Sequence, residues 1–163
     1  MYFDPANSRT VVSIYLAGSI GNDNRWRPGV ITRINRACGT TKTRFLSPVD
    51  QGISYNPIML KLANDRNKVY LHCDYAKIDA ADVVFAYVCK SLSRHSGTSA
   101  EIGYACARGK LIILVNDMEP HDAVFYDFIK LSADAYFTSL DKGLDFLEAY
   151  VKELDYNPME AIK

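Results

Sequence analysis

Two runs, Asp82–Val88 (DVVFAYV) and Lys110–Val115 (KLIILV), are apolar at nearly every position. Successive side chains of a strand point to opposite faces, so a strand that is apolar throughout is covered on both. The remainder of the chain supplies the covers. Val11–Gly18 (VVSIYLAG) is β-rich and stops at a glycine, and the short TRFLSP closes at Pro48. Helical patterns fill the gaps: one from about Pro28 to Gly39, and one from Pro57 to about Ala80 with a break near Asn64–Asn67. A third opens at GTSAEIGYACARGK (Gly97–Lys110), a fourth is HDAVFYDFIKL, and the last is DKGLDFLEAYVKEL. The apolar positions expected on the second helix are Leu60, Ala63, Leu71, Ala76 and Ile78. AYFTSL reads as a fifth strand. Strict strand–helix alternation predicts an α/β, doubly wound, five-stranded parallel sheet in the flavodoxin-like order 2-1-3-4-5, with helices on both faces.

With 163 residues, the chain suits one domain over 1–163. Nineteen Lys and Arg balance nineteen Asp and Glu, which gives no overall pull toward a nucleic acid polymer. No apolar run reaches the roughly 18–20 residues of a membrane span. The opening MYFDPANSRT lacks the apolar core of a secretory signal, so the expected compartment is cytoplasmic. Cys38, Cys73, Cys89 and Cys106 form no CxxC pair. They read as buried or idle thiols, without a disulfide framework or a metal.

Ligands of such sheets sit beyond the carboxyl ends of the strands at the switch in strand order, here between the first and third strands. Two loops meet there, AGSIGNDNR and CKSLSRHSGTSAE. Thr98–Glu101 fits a capping box, in which Glu101 reaches back to the cap amide. The alternative is that Glu101 faces the crevice in the first helical turn, where the helix N-terminus favours an ionised carboxylate. Such a carboxylate can attack an anomeric carbon. Gly97 and Gly103 permit close approach of a ligand or a strand. Gly18 and Gly21 flank Ser19, which can bind an anion with nearby amides or sit in an ordinary turn. Tyr15 is a core tyrosine or a site residue. Asp74, with Asp79 and Asp82 nearby, shares a helix face with Ile78 and lies about two turns back from the third strand. It is a solvated charge or borders the buried stripe. Trp26, Tyr55 and Tyr104 can pack in the core or stack on a base.

In order, YLAGSI, DYAKIDAADVVFA and GTSAEIGYACARGKLIIL resemble the nucleoside 2-deoxyribosyltransferase superfamily, which includes nucleoside 5'-monophosphate N-glycosidases. The resemblance runs from about Ile14 to Val115. It implies a nucleophile at Glu101, an assisting aspartate at Asp74, and a tyrosine, Tyr15, that positions the nucleophile. It implies substrate contacts at Gly18, Ser19, His95, Ser96, Gly97 and Thr98, and no cofactor or metal. It also implies a homodimer or larger assembly, in which a neighbour completes the pocket from the helix carrying Tyr126 and Asp127. The implied substrate is a nucleoside or nucleotide, with a free nucleobase as acceptor where transfer occurs.

Transferases of this superfamily carry an aspartate six residues before the nucleophile, and the monophosphate hydrolases a serine; here that position is His95. Arg94, His95 and Ser96 suit a phosphate or form a solvated loop. The transferase asparagine of the neighbour helix is not obvious either. The expected activity is cleavage of an N-glycosidic bond through a glycosyl-glutamate, with transfer of the sugar to another base. The alternatives are hydrolysis of a (deoxy)nucleoside 5'-monophosphate and, in another class, a non-catalytic nucleotide-binding module.

Overall fold

The apolar runs form the centre of one parallel sheet in the computed structural model, which describes residues 11–18, 25–48, 66–89, 96–119 and 127–154. The strands are β1 (Val12–Gly18), β2 (Thr43–Leu46), β3 (Val83–Val88), β4 (Leu111–Asn116) and β5 (Ala135–Phe137). Their order is β2-β1-β3-β4-β5, as the alternation predicts. All four pairings are parallel, and β1 lies against β3 from Ile14–Val83 to Gly18–Tyr87. The helices are α1 (Trp26–Cys38), α2 (Arg66–Ala80), α3 (Ser96–Ala107), α4 (Asp127–Lys130) and α5 (Leu140–Leu154).

Two apolar layers sandwich the sheet. On one face Val30 and Ile34 of α1, with Leu144, Leu147 and Val151 of α5, cover Ile14, Leu16, Phe85 and Val115. On the other, Ile78 of α2 and Ile102 and Ala105 of α3 cover Tyr15, Ala17, Val84, Ala86 and Leu114. Trp26 belongs to the first layer, its ring 5.3 Å from Tyr87 in an edge-on contact. Among the described residues no helix is long and apolar enough to cross a membrane.

Several local expectations shift. The helix expected from Pro28 begins at Trp26, because proline fits a first turn whose N–H groups need no helical partner. It ends at Gly39, as expected. AYFTSL is a strand only to Phe137. Leu140 already starts α5, and Ser139 gives its carbonyl to the Gly143 N–H at 3.1 Å. The second helix is continuous from Arg66, and the residues before it lie outside those described. On it Leu71 and Ala76 are exposed, while Lys77 is buried. Of the four cysteines only Cys89 is buried, and Cys106 is exposed.

Asp82 stands just before β3 and holds backbone of β1. Its carboxylate accepts the Ser13 N–H at 2.9 Å while its own N–H donates to the Ser13 carbonyl at 2.8 Å. Asp134 makes the same reciprocal pair with Ile112. Each aspartate thus satisfies backbone groups at the amino end of the sheet, far from the ends where a ligand would bind.

Close approach of a strand does not occur at Gly97 or Gly103 among the described residues, where an added Cβ meets no heavy atom within 4 Å. It occurs at Gly143, where a Cβ would lie 2.3 Å from Val115 Cγ2. Gly143→Ala should therefore cost about 1–3 kcal/mol by overpacking. Gly103→Ala, in an exposed helix interior, should gain about 0.5–1 kcal/mol. Opposite shifts of the urea midpoint check both.

Candidate functional site

A carboxylate occupies the apolar stripe of α3. Thr98, Glu101, Ile102 and Ala105 repeat at the spacing of one helical face, and all four are buried. Glu101 is 6% exposed. Across from it, the alternation of β1 turns Tyr15 and Ala17 toward α3, and Tyr15 is fully buried. The Tyr15 hydroxyl donates to Glu101 Oε1 at 2.6 Å. That length is typical of a hydroxyl bonded to an ionised carboxylate, worth roughly 1.5–3 kcal/mol. Burial first, then the charge of Glu101, pushes the Tyr15 hydroxyl far above its ordinary range. It remains the donor at any working pH.

The capping-box reading of Glu101 gives way to this contact. The helix begins at Ser96, so Glu101 is its sixth residue, beyond the first turn. The helix dipole fades over that distance. Burial dominates instead and pushes Glu101 up to about 7. The Tyr15 hydrogen bond and the charges of Arg27 and Lys77 oppose that rise, and the charge of Asp74 adds to it.

Asp74 is not a solvated helix charge set back from the site. Asp74, Lys77, Ile78 and Ala81 follow the inward stripe that runs from α2 into β3, and the Asp74 side chain is 17% exposed. Its field is felt by both Tyr15 and Glu101. Asp74 Oδ1 is buried without a hydrogen-bond partner among the described residues. Lys77 Nζ lies 3.6 Å from it, an ion pair too long for a hydrogen bond. Burial holds Asp74 above the usual carboxylate range, against the pull of Lys77 and Arg27.

Two cations missing from the expected set complete the cluster. Lys77 is 3% exposed and donates to the Ser47 carbonyl at 2.9 Å, just beyond β2. Arg27, also 3% exposed, donates to the carbonyls of Leu16 and Gly18 at 3.2 and 2.7 Å. Both could have been suspected from a cation at an inward helical spacing: Lys77 stands three residues after Asp74, and Arg27 three before Val30.

Gly18 is fixed by sterics. Its φ of +152° and a virtual Cβ 2.8 Å from the Trp26 ring and 2.9 Å from the Tyr87 carbonyl oxygen require glycine there. Gly18 and Tyr87 pair at the sheet's carboxyl end, so the two expected loops leave from adjacent strands. Ser19, Arg94, His95 and Tyr126 lie outside the described residues, as does Tyr55. Ser96 and Gly97 are exposed at the start of α3, Thr98 is buried beside Glu101, and Asp127 is exposed on α4. Tyr104 instead stacks on Tyr75 at 3.9 Å and donates to Asp79, in a surface cluster with Arg108. Among the described residues no three His, Cys, Asp or Glu side chains are grouped as metal ligands.

The model of the nucleoside 2-deoxyribosyltransferase family matches residues 14–146. No curated protein sequence matches the chain. Among solved structures, it is similar to a 2-deoxyribosyltransferase from Leishmania mexicana, with a TM-score of 0.56 and 17% identity over 85% of this chain and 97% of the other. It is also similar to a CMP N-glycosidase from Clostridium botulinum, with a TM-score of 0.50 and 18% identity over 85% and 98%. At these identities the likeness is one of fold.

Between about pH 4.5 and 7 the folded protein keeps a proton on Glu101 that the unfolded chain releases, so this group's contribution to stability falls as pH rises through that window. Glu101→Gln, which keeps an acceptor for Tyr15, removes the dependence. From pH 4 to pH 8 the stability difference should widen by about 3 kcal/mol in favour of the variant. Urea unfolding at each pH measures it, and a difference that stays constant would contradict the buried proton.

Proposed function

Because the chain belongs to the nucleoside 2-deoxyribosyltransferase family, we propose that it cleaves the N-glycosidic bond of a (deoxy)nucleoside through an ester on Glu101 and passes the sugar to a second base. Members of this superfamily are transferases or N-glycosidases, so enzymatic work on nucleosides or nucleotides is common ground. The observation that carries the finer reading is the Tyr15–Glu101 hydrogen bond in a buried site. A carboxylate placed on an apolar stripe costs stability, and nothing in the packing of α3 needs it there.

The reaction runs in two displacements. A Glu101 oxygen attacks the anomeric carbon as the carbon–nitrogen bond breaks, through an oxocarbenium-like transition state. The bonding pair leaves with the base nitrogen, and Asp74, held above the usual carboxylate range, supplies the proton. An incoming base nitrogen then attacks the same carbon from the vacated side. The carbon–oxygen bond to Glu101 breaks, the carboxylate is regenerated, and the incoming base gives its proton to Asp74. Two inversions retain the configuration. Tyr15 keeps one Glu101 oxygen bonded and leaves the other for attack.

A second reading, hydrolysis of a nucleoside 5'-monophosphate, draws support from the start of α3. It opens at Ser96, and the first-turn amides of a helix, which lack partners within the helix, suit an anion. Base release from deoxynucleosides and their monophosphates, each with and without a free acceptor base, separates the two. A new nucleoside formed with the acceptor indicates transfer. Release from monophosphates alone, indifferent to acceptor, indicates the hydrolase. Tight binding with no release from any substrate indicates a binding module.

Glu101→Ala should abolish release in a folded protein, and turnover in that variant would sink the nucleophile assignment. The acid limb of the wild-type rate should climb with pH about a midpoint near the Glu101 value of about 7, because attack needs the ionised form, and the rate should fall again at higher pH once Asp74 has lost the proton it supplies. Tyr15→Phe removes a bond that favours that form, so the rise should move to higher pH and kcat should fall about 10²-fold.

A homo-oligomer also fits the surface of α4, where Phe128 and Leu131 are 83% and 84% exposed near Asp127. Replacing both with serine should lower the mass measured by light scattering. A wild-type monomer at working concentration would remove this part of the proposal.

A further inference from the structure

Arg27 is a buried cation with an unusual set of partners. Its Nε and Nη2 bond the Leu16 and Gly18 carbonyls, which bracket the last residues of β1 directly after Tyr15. Its guanidinium carbon lies 4.6 Å from the Trp26 ring centroid, a second restraint on the fork. The side chain comes from α1, which covers the opposite sheet face from α2 and α3, and wraps to the carboxyl end of β1. There its charge acts on Tyr15, Asp74 and Glu101 together.

We propose that Arg27 is a positioning residue for Glu101: its fork fixes the end of β1 so that Tyr15 stays aimed at the carboxylate, and its guanidinium brings a buried positive charge to the cluster. The consequence for catalysis rests on the nucleophile reading above, whereas the electrostatic part does not. Besides burial, the groups among the described residues that act on the charge of Glu101 are Tyr15 from β1, Asp74 and Lys77 from α2, and Arg27 from α1. Of the two cations Arg27 has the larger effect on Glu101, although Lys77 is the one paired with Asp74. Burial lowers Arg27 itself to about 10, which still leaves it charged at neutral pH. A purely structural tie would need the two backbone bonds but not the charge, and this difference makes the two accounts separable.

The full chain has five glutamates, Glu101, Glu119, Glu148, Glu153 and Glu160, so carboxyl ¹³C signals of a glutamate-labelled sample can be assigned. Glu101 is the signal lost in Glu101→Gln. Its titration midpoint should lie near 7 in the wild type. In Arg27→Met it should move up by about one pH unit, the low end of what an opposite charge contributes. In Arg27→Lys, which keeps the charge and loses the fork, it should stay near the wild-type value. With a substrate in hand, Arg27→Lys should lose about tenfold or more in kcat with KM little changed, because aim rather than binding is impaired. If Arg27→Met does not fold, Arg27→Gln, which retains a donor for one carbonyl, takes its place. A charge-removing variant with the wild-type midpoint overturns the proposal, as does an Arg27→Lys variant with undiminished kcat. An inactive wild type with the expected midpoints overturns the nucleophile reading and leaves the electrostatic assignment standing.

Discussion

The hydrogen bond from Tyr15 to Glu101 joins the sheet to α3 at a carboxyl group that burial works against. Much of its described surroundings is apolar. Ile102 and Ala105 continue the same helix face, and Val84 and Ala86 lie beside Tyr15 on the sheet. An isolated ionised carboxylate in such surroundings would cost far more than one domain's net stability. The site persists because that cost is spread over several partners. Tyr15 supplies a hydrogen bond, and Arg27 and Lys77 supply charge.

Those partners come from three directions. Arg27 arrives from α1 on the far face, Lys77 and Asp74 from α2, and Tyr15 from β1 itself. Together with Glu101 they bring two carboxyl groups and two cations into one buried cluster. Each cation is also tied to a carbonyl at a strand's carboxyl end, Arg27 to Gly18 and Lys77 to Ser47. The ties put carbonyl oxygens against the Arg27 guanidinium and the Lys77 ammonium and so reduce the penalty of burying them. Removing one member therefore disturbs the ionisation of the others, and single substitutions here should not be additive.

The sheet was legible in the sequence because its central strands are apolar at consecutive positions, which leaves few alternatives to a parallel sheet covered on both faces. The ordered resemblance named Glu101, Tyr15 and Asp74 as candidates, and the structure brings them into one cluster whose burial the sequence did not disclose. Four residues that fit a capping box cannot say where a helix starts, and a start at Ser96 rather than Thr98 moves Glu101 out of the first turn. Lys77 was hidden by its chemistry: beside Ala76, the apolar residue is the natural choice for the core. The packing reversed that choice because Lys77 has both Asp74 and the Ser47 carbonyl to meet. Arg27 was hidden for the same reason, since a cation in an arginine-rich helix start reads as solvated. The pattern of hydrophobicity reports faces, and it cannot report a buried charge whose partners are distant in sequence.

As the proposed nucleophile, a carboxylate raised to about 7 looks poorly suited to attack, since a neutral acid is inert. Under the proposed mechanism the same burial is an advantage. The sugar develops positive charge only as the glycosidic bond breaks, and a carboxylate in a water-poor site stabilises that charge more strongly than one in water. The interaction is thus weak with the neutral substrate and strong in the transition state, which is the difference that accelerates a reaction. Arg27 and Lys77 set the compromise: enough positive field to keep Glu101 ionised near neutral pH, yet held on backbone carbonyls at the strand ends. A fully exposed glutamate would be ionised at lower pH and would attract the forming cation less. The raised value follows from the same desolvation that gives the carboxylate its leverage.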